Sequence, residues 1–150
     1  MTAIHETAYP RIRSNLSDKE LAELYTPMSD DLAFVHHATK SPVAAFGGVV
    51  LFKAFQRLGY FPSFDMLPPR LIAHVATMLN VPTPQEALQQ YEQRGFRNWH
   101  LPLIRDHLGI AAFSEGGRRV VVRAMLEAAR SKDILADLIN VSIEALVHAR

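Results

Sequence analysis

The chain contains no cysteine, and this removes disulfide scaffolds and thiolate metal sites together. A chain without thiols suits a reducing compartment such as the cytoplasm. Long apolar runs are also missing. The uncharged stretch from Ser41 to Phe52 ends at Lys53, well short of the roughly 20 residues that span a bilayer, so no membrane partner is expected. Met1 to Pro10 has neither a basic segment nor an apolar one of the secretory kind. Alternation of apolar and polar residues never persists beyond a few positions, so strands are not expected.

Signatures of catalysis are equally scarce. No Gly-x-Ser-x-Gly elbow occurs. Gly47-Gly48 lies inside an apolar run, and Gly116-Gly117 lacks the lysine and serine or threonine of a phosphate loop. Seven histidines are present, but none makes the i, i+4 pair that a helical metal site needs. His36 and His37 diverge by about 100° on a helix, and His100 and His107 would stand roughly 10 Å apart. Asp30 and Asp31 fall in a first helical turn, where the helix dipole accounts for them. No cofactor, metal or catalytic group is expected.

What remains is helix. With 150 residues, 49% hydrophobic and 21% charged, the chain can build a real core as one domain or two small subdomains. Ser17 with Glu20 reads as a capping box that opens a first helix through Leu21, Leu24 and Tyr25. Ser29, with Asp30 and Asp31, is expected to cap a second through Val35 to Thr39. Ser41-Pro42 opens a third that reaches Leu58 and stops at Gly59. Val43 to Phe52 is apolar on every side, so this helix should be deeply buried. Gly47 and Gly48 there each cost about 1 kcal/mol against alanine, which close approach of a neighbour would justify. Pro68-Pro69 opens a fourth helix ending near Asn80. Thr83, Pro84 and Glu86 open a fifth with a second capping box. A sixth is expected over 98–108, with Pro102 near its first turn and Gly109 as its stop. Ser114-Glu115 starts a seventh, and Asp133 an eighth with Leu135, Leu138, Ile139, Ser142 and Leu146 inward. This last helix reaches Arg150 without a stop signal, as if cut from a longer chain. The expectation is an all-α, multi-helix bundle of about eight helices, with room for two helix-turn-helix-like subdomains, 1–80 and 81–150. Gly59–Leu67 and Asn80–Pro82 are the linker candidates.

Net charge is only +1, yet it is unevenly spread. Residues 1–39 carry three basic and six acidic side chains; residues 94–123 carry Arg94, Arg97, Arg105, Arg118, Arg119 and Arg123 against Asp106 and Glu115. Asymmetry of this kind fits a surface that faces a polyanion. Tyr91 to His100 combines arginines, Asn98 and aromatic rings around a helix start. Guanidinium forks suit phosphate or guanine, an amide can read adenine, and rings pack on sugars or bases. The same segment could equally be Phe96 and Trp99 in the core with a solvated arginine rim. On the seventh helix Arg119, Arg123, Glu127 and Arg130 share a stripe, where Glu127 can pair with either neighbour. The third helix carries Lys53, Gln56 and Arg57 in its C-terminal half, which suits a scaffold better than a reader.

Several segments resemble one family. Ile4-His-Glu-Thr-Ala-Tyr-Pro-Arg11, Glu23-Leu-Tyr-Thr-Pro27 and Leu51-Phe-Lys-Ala-Phe-Gln-Arg-Leu-Gly-Tyr-Phe-Pro62 look like the amino-terminal region of the replicative transposases of Tn-three (class II) transposons. Ile104-Arg-Asp-His-Leu-Gly109 and Asp137-Leu-Ile-Asn-Val-Ser-Ile-Glu-Ala-Leu146 continue the likeness in order. The resemblance implies a helical module that recognises the terminal inverted repeats of the transposon in double-stranded DNA. It implies a bacterial, cytoplasmic and nucleoid-associated protein whose partners include the rest of a longer transposase chain; the sequence leaves open whether it forms a homodimer. It places catalysis, by three carboxylates holding divalent metal, in a later domain, so this chain is expected not to be an enzyme by itself. The family pattern maps onto Tyr91, Arg94, Arg97, His100, Ile104 and Arg105. The chain departs from it at His36-His37-Ala38-Thr39, where arginines are usual, and at Trp99, where a basic residue is. The DNA contacts expected are Arg94, Arg97, Asn98, Trp99, His100 and Arg105, with Lys53, Arg57, Arg118, Arg119 and Arg123 on phosphates. A free-standing DNA-binding regulator and a helical protein-interaction or oligomerisation domain are the alternatives.

Overall fold

A computed structural model describes residues 10–111, 113–131 and 135–149. Its helices are α1 (Asp18–Glu20), continued by a π-turn over Leu21–Tyr25, then α2 (Ser29–Ala38), α3 (Pro42–Leu58), α4 (Pro69–Met78), α5 (Pro84–Gln93), α6 (Phe96–His107), α7 (Glu115–Ala128) and α8 (Leu135–His148). A 3-10 turn spans Phe64–Met66, and no strand occurs among the described residues. The fold is all-α.

Local chemistry sets most of these boundaries. The Ser17 hydroxyl accepts the Glu20 N–H at 3.2 Å while the Glu20 carboxylate takes the Ser17 N–H at 2.8 Å, so the capping box is complete. Ser41 caps α3 through the Ala44 N–H, and Gly59 closes it at φ 77°. Two expected caps differ. α2 starts at Ser29 itself, because the Asp31 carboxylate takes the Met28 N–H at 2.8 Å and moves the cap back one residue. The Thr83 side chain makes no capping bond to α5. α6 begins at Phe96, two residues before the expected start, directly after Gly95 turns the chain at φ 69°. Pro102 consequently lies inside α6, where it has no N–H for the helix ladder. The expected start of α8 at Asp133 lies outside the described residues, as does the Leu135 side chain.

Two compact units emerge: one is Ile12–Ile104, and the other holds the end of α6 from Arg105 together with α7 and α8. The division thus falls within α6. The boundary expected at residue 80 is not one, because α5 packs on both α3 and α4 and buries Ala87 and Leu88 in the same core. Asn80–Pro82 is therefore a turn within the first unit.

In the Ile12–Ile104 unit α3 is the axis. It packs against α2, α4, α5 and the π-turn, and every residue from Ala44 to Phe55 is buried. The two glycines are used as their cost suggested. A Cβ on Gly47 would fall on the Tyr91 ring of α5, and one on Gly48 would sit 3.0 Å from His100 Cε1 of α6. The other unit is built on a hairpin of α7 and α8. Among the described residues, those buried in it are small: Ala124, Ala128, Ala136 and Ser142. Phe113, Val122, Leu126 and Val147 stay exposed.

Candidate nucleic-acid interface

The α5–α6 joint is made by a short sequence. Arg94 ends α5 by bonding back to the Gln90 carbonyl at 3.0 Å, Gly95 takes the left-handed conformation, and α6 begins at once. This tight joint presents Arg94 and, in the first turn of α6, Asn98 and Trp99 to solvent. Trp99 is 47% exposed. These three of the expected contacts are brought together on one accessible joint.

Three others are engaged internally and do not face a ligand. Lys53 is buried; its Nζ lies 2.6 Å from the Asp31 carboxylate and also donates to Gln56 at 3.2 Å. An ammonium held inside the fold in this way offers nothing to phosphate, and Lys53 is corrected to a core ion pair. The signal was present in the sequence, since Lys53 sits between Phe52 and Ala54 in an otherwise apolar run. His100 is 3% exposed and is corrected likewise. Its Nδ1 shares a 2.7 Å hydrogen bond with the Tyr91 hydroxyl, and its Nε2 is buried with no partner among the described residues. Desolvation lowers the His100 pKa and raises that of Tyr91, so both favour the neutral form. Arg97 is the third. Its guanidinium pairs with Glu92 at 3.1 Å, donates to the Pro62 carbonyl, and sits 5.5 Å over the Phe64 ring. It ties the loop before α4 to the α5–α6 joint.

The remaining cations divide between the two units. Arg57 is exposed on the last turn of α3, with its guanidinium beside the Tyr25 phenol. Arg105 is half-buried at the C-terminal end of α6. In the other unit Arg118, Arg119 and Arg123 are exposed on α7. The pairing that spacing allows for Glu127 is not formed: no ion pair among the described residues involves it, Arg119 or Arg123.

A cleft of about 490 Å³ opens beside α5, lined by Ser63, Phe64, Asp65, Leu88, Gln89, Glu92 and Arg97. Two carboxylates and a guanidinium already paired make it a poor seat for a polyanion. Among the described residues no three His, Asp or Glu side chains gather where a metal could bind, and no helix is long and apolar enough to cross a membrane.

Sequence reasoning overlooked the aromatic stack at this joint. His100 lies between Tyr91 (centroids 5.5 Å apart, planes at 24°) and Trp99 (5.3 Å, 24°). Tyr91 also meets Phe64 edge-on at 5.5 Å and Phe96 at 5.8 Å. Only the closely spaced aromatics of residues 91–100 could have hinted at it.

No curated protein and no solved structure matches the chain. A family model does match, over residues 1–150, and the chain belongs to that family, described as "Domain of unknown function (DUF4158)".

Proposed function

We propose that this chain is a DNA-binding module that recognises the terminal inverted repeats of a transposon during replicative transposition. The observation that carries this reading is the ordered likeness, from Ile4 to Leu146, to the amino-terminal region of Tn-three transposases. In this reading the strand-transfer chemistry belongs to another part of a longer bacterial transposase, acting in the cytoplasm on the nucleoid. Exposure of Arg94, Asn98 and Trp99 at one helix start supports it, because helix starts of this kind enter grooves or meet phosphate. Arg57 would add a phosphate contact in the same unit, and Arg118, Arg119 and Arg123 would add them from α7. Arg97 and His100 support the joint from within.

The test is titration of labelled DNA from the end of the cognate element against a scrambled duplex, at two salt concentrations. The expected result is preference for the element's end, with log affinity falling by about 0.9 per log unit of salt for each phosphate neutralised. Arg94→Ala should weaken binding about ten-fold without lowering the melting temperature. A folded sample that binds neither duplex overturns the reading. The exposed apolar side chains of the α7–α8 hairpin would then favour the alternative, a protein-interaction module.

A further inference from the structure

A tryptophan left half in solvent at the start of a helix needs a reason, since its ring carries more apolar area than any other side chain. Here the ring is also held. Trp99 faces His100, with centroids 5.3 Å apart and planes at 24°, and His100 is joined end-on to Tyr91 through their hydrogen bond, with centroids 5.5 Å apart. The inner members are almost fully buried, His100 at 3% and Tyr91 at 0% exposure. They are locked by the 2.7 Å hydrogen bond between them. Tyr91 is wedged against Gly47 and His100 against Gly48, where α3 has no side chains to spare the space. The stack therefore runs from the rigid axis of the fold outwards and ends on an indole with surface still free.

A ring presented this way is poor at reading intact duplex. Indole has a single N–H donor, which distinguishes little on a base edge. What it offers is a flat face, and a base inside a paired helix already has both faces covered by its neighbours. A base out of the stack does not. The cation and amide close to the ring in the chain, Arg94 and Asn98, are both exposed and suit the phosphate and the edge of such a nucleotide.

We propose that Trp99 is a stacking platform for an unpaired DNA base, backed by His100 and Tyr91 and flanked by Arg94 and Asn98. The proposal rests on the DNA-binding reading and adds that the preferred DNA carries a distorted or open position. Holding the indole in place before binding reduces the ordering cost of the contact. His100 and Tyr91 act as positioning residues: His100 touches Trp99, and Tyr91 holds His100.

Trp99 is the only tryptophan in the sequence, so its emission reports on this ring alone. The chain is titrated with a mixed-sequence duplex and with the same duplex carrying one extra, unpaired adenine. The expected outcome is quenching of Trp99 emission by the bulged duplex, with about ten-fold tighter binding than to the paired one. Trp99→Leu should abolish this preference and Trp99→Phe should keep most of it, with circular dichroism checking that both variants fold. Equal affinity for the two duplexes with unchanged emission overturns the platform while leaving DNA binding intact. So does a Trp99→Leu variant that retains the preference. Binding to neither duplex removes the DNA-binding reading, and the platform falls with it.

Discussion

At the scale of single residues, the two glycines of α3 show how distance decides between opposing effects. Alanine at either position would gain about 1 kcal/mol of helix propensity. At Gly47 the added Cβ falls on the buried Tyr91 ring, which cannot retreat, and overpacking of about 1–3 kcal/mol or more should prevail. At Gly48 the added Cβ meets His100 Cε1 at 3.0 Å, His100 Nδ1 at 3.1 Å and Val35 Cγ1 at 3.3 Å, a smaller clash but one against a ring that is itself held. Gly47→Ala is therefore expected to be clearly destabilising in urea unfolding, and Gly48→Ala to cost less than Gly47→Ala. Acid tests the neighbouring imidazole. Burial lowers the His100 pKa in the fold, so below about pH 6.5 the unfolded chain binds the proton more readily than the folded one. Its contribution to stability is complete above that pH and is lost as pH falls towards the folded pKa. Wild type should lose more thermal stability than His100→Phe between about pH 7 and pH 5.5; equal losses would contradict it. These partnerships were hard to read from sequence because they join distant segments. Nothing local to Lys53 names Asp31, and nothing local to His100 names Gly48.

Elements were far more legible, because their starts and stops are local chemistry. Ser17, Ser41, Gly59 and Gly109 carry their instructions in their own side chain or in the lack of one. Where a start was misplaced, a competing group had taken the role. Asn98 has the chemistry of a cap, but Gly95 had already turned the chain, so α6 starts at Phe96 and carries Pro102 in its body. Thr83 has the chemistry of a cap as well, yet its side chain makes no bond to α5. The contrast is measurable. Ser17→Ala should cost about 1 kcal/mol, through loss of the box with Glu20. Thr83→Ala should stay within about 0.5 kcal/mol. Similar losses in thermal unfolding would mean that Thr83 caps α5 in solution. Of the expected interface, the segment was legible and the roles within it were not. Exposure sorts Arg94, Asn98 and Trp99 from Arg97 and His100, and single-residue chemistry cannot make that distinction.

At the scale of the whole molecule, the units differ in what they enclose. The Ile12–Ile104 unit closes phenylalanines, tyrosines and leucines around α3, whereas the α7–α8 hairpin closes mostly alanines. Amide exchange should accordingly be slowest in α3 and faster throughout α7 and α8. In the stretch 94–123, where the sequence concentrates positive charge, Arg94, Arg118, Arg119 and Arg123 are exposed, whereas the charge of Lys53 is spent inside. That enclosure gives Lys53 a use in the laboratory. Amine-acylating reagents should reach Lys19 and Lys40, both exposed, within the ordinary reaction time, and should modify Lys53 only when α2 and α3 part. Its rate of modification in peptide mass spectra would then be a clock for the opening of the Ile12–Ile104 unit, running inside the unaltered protein.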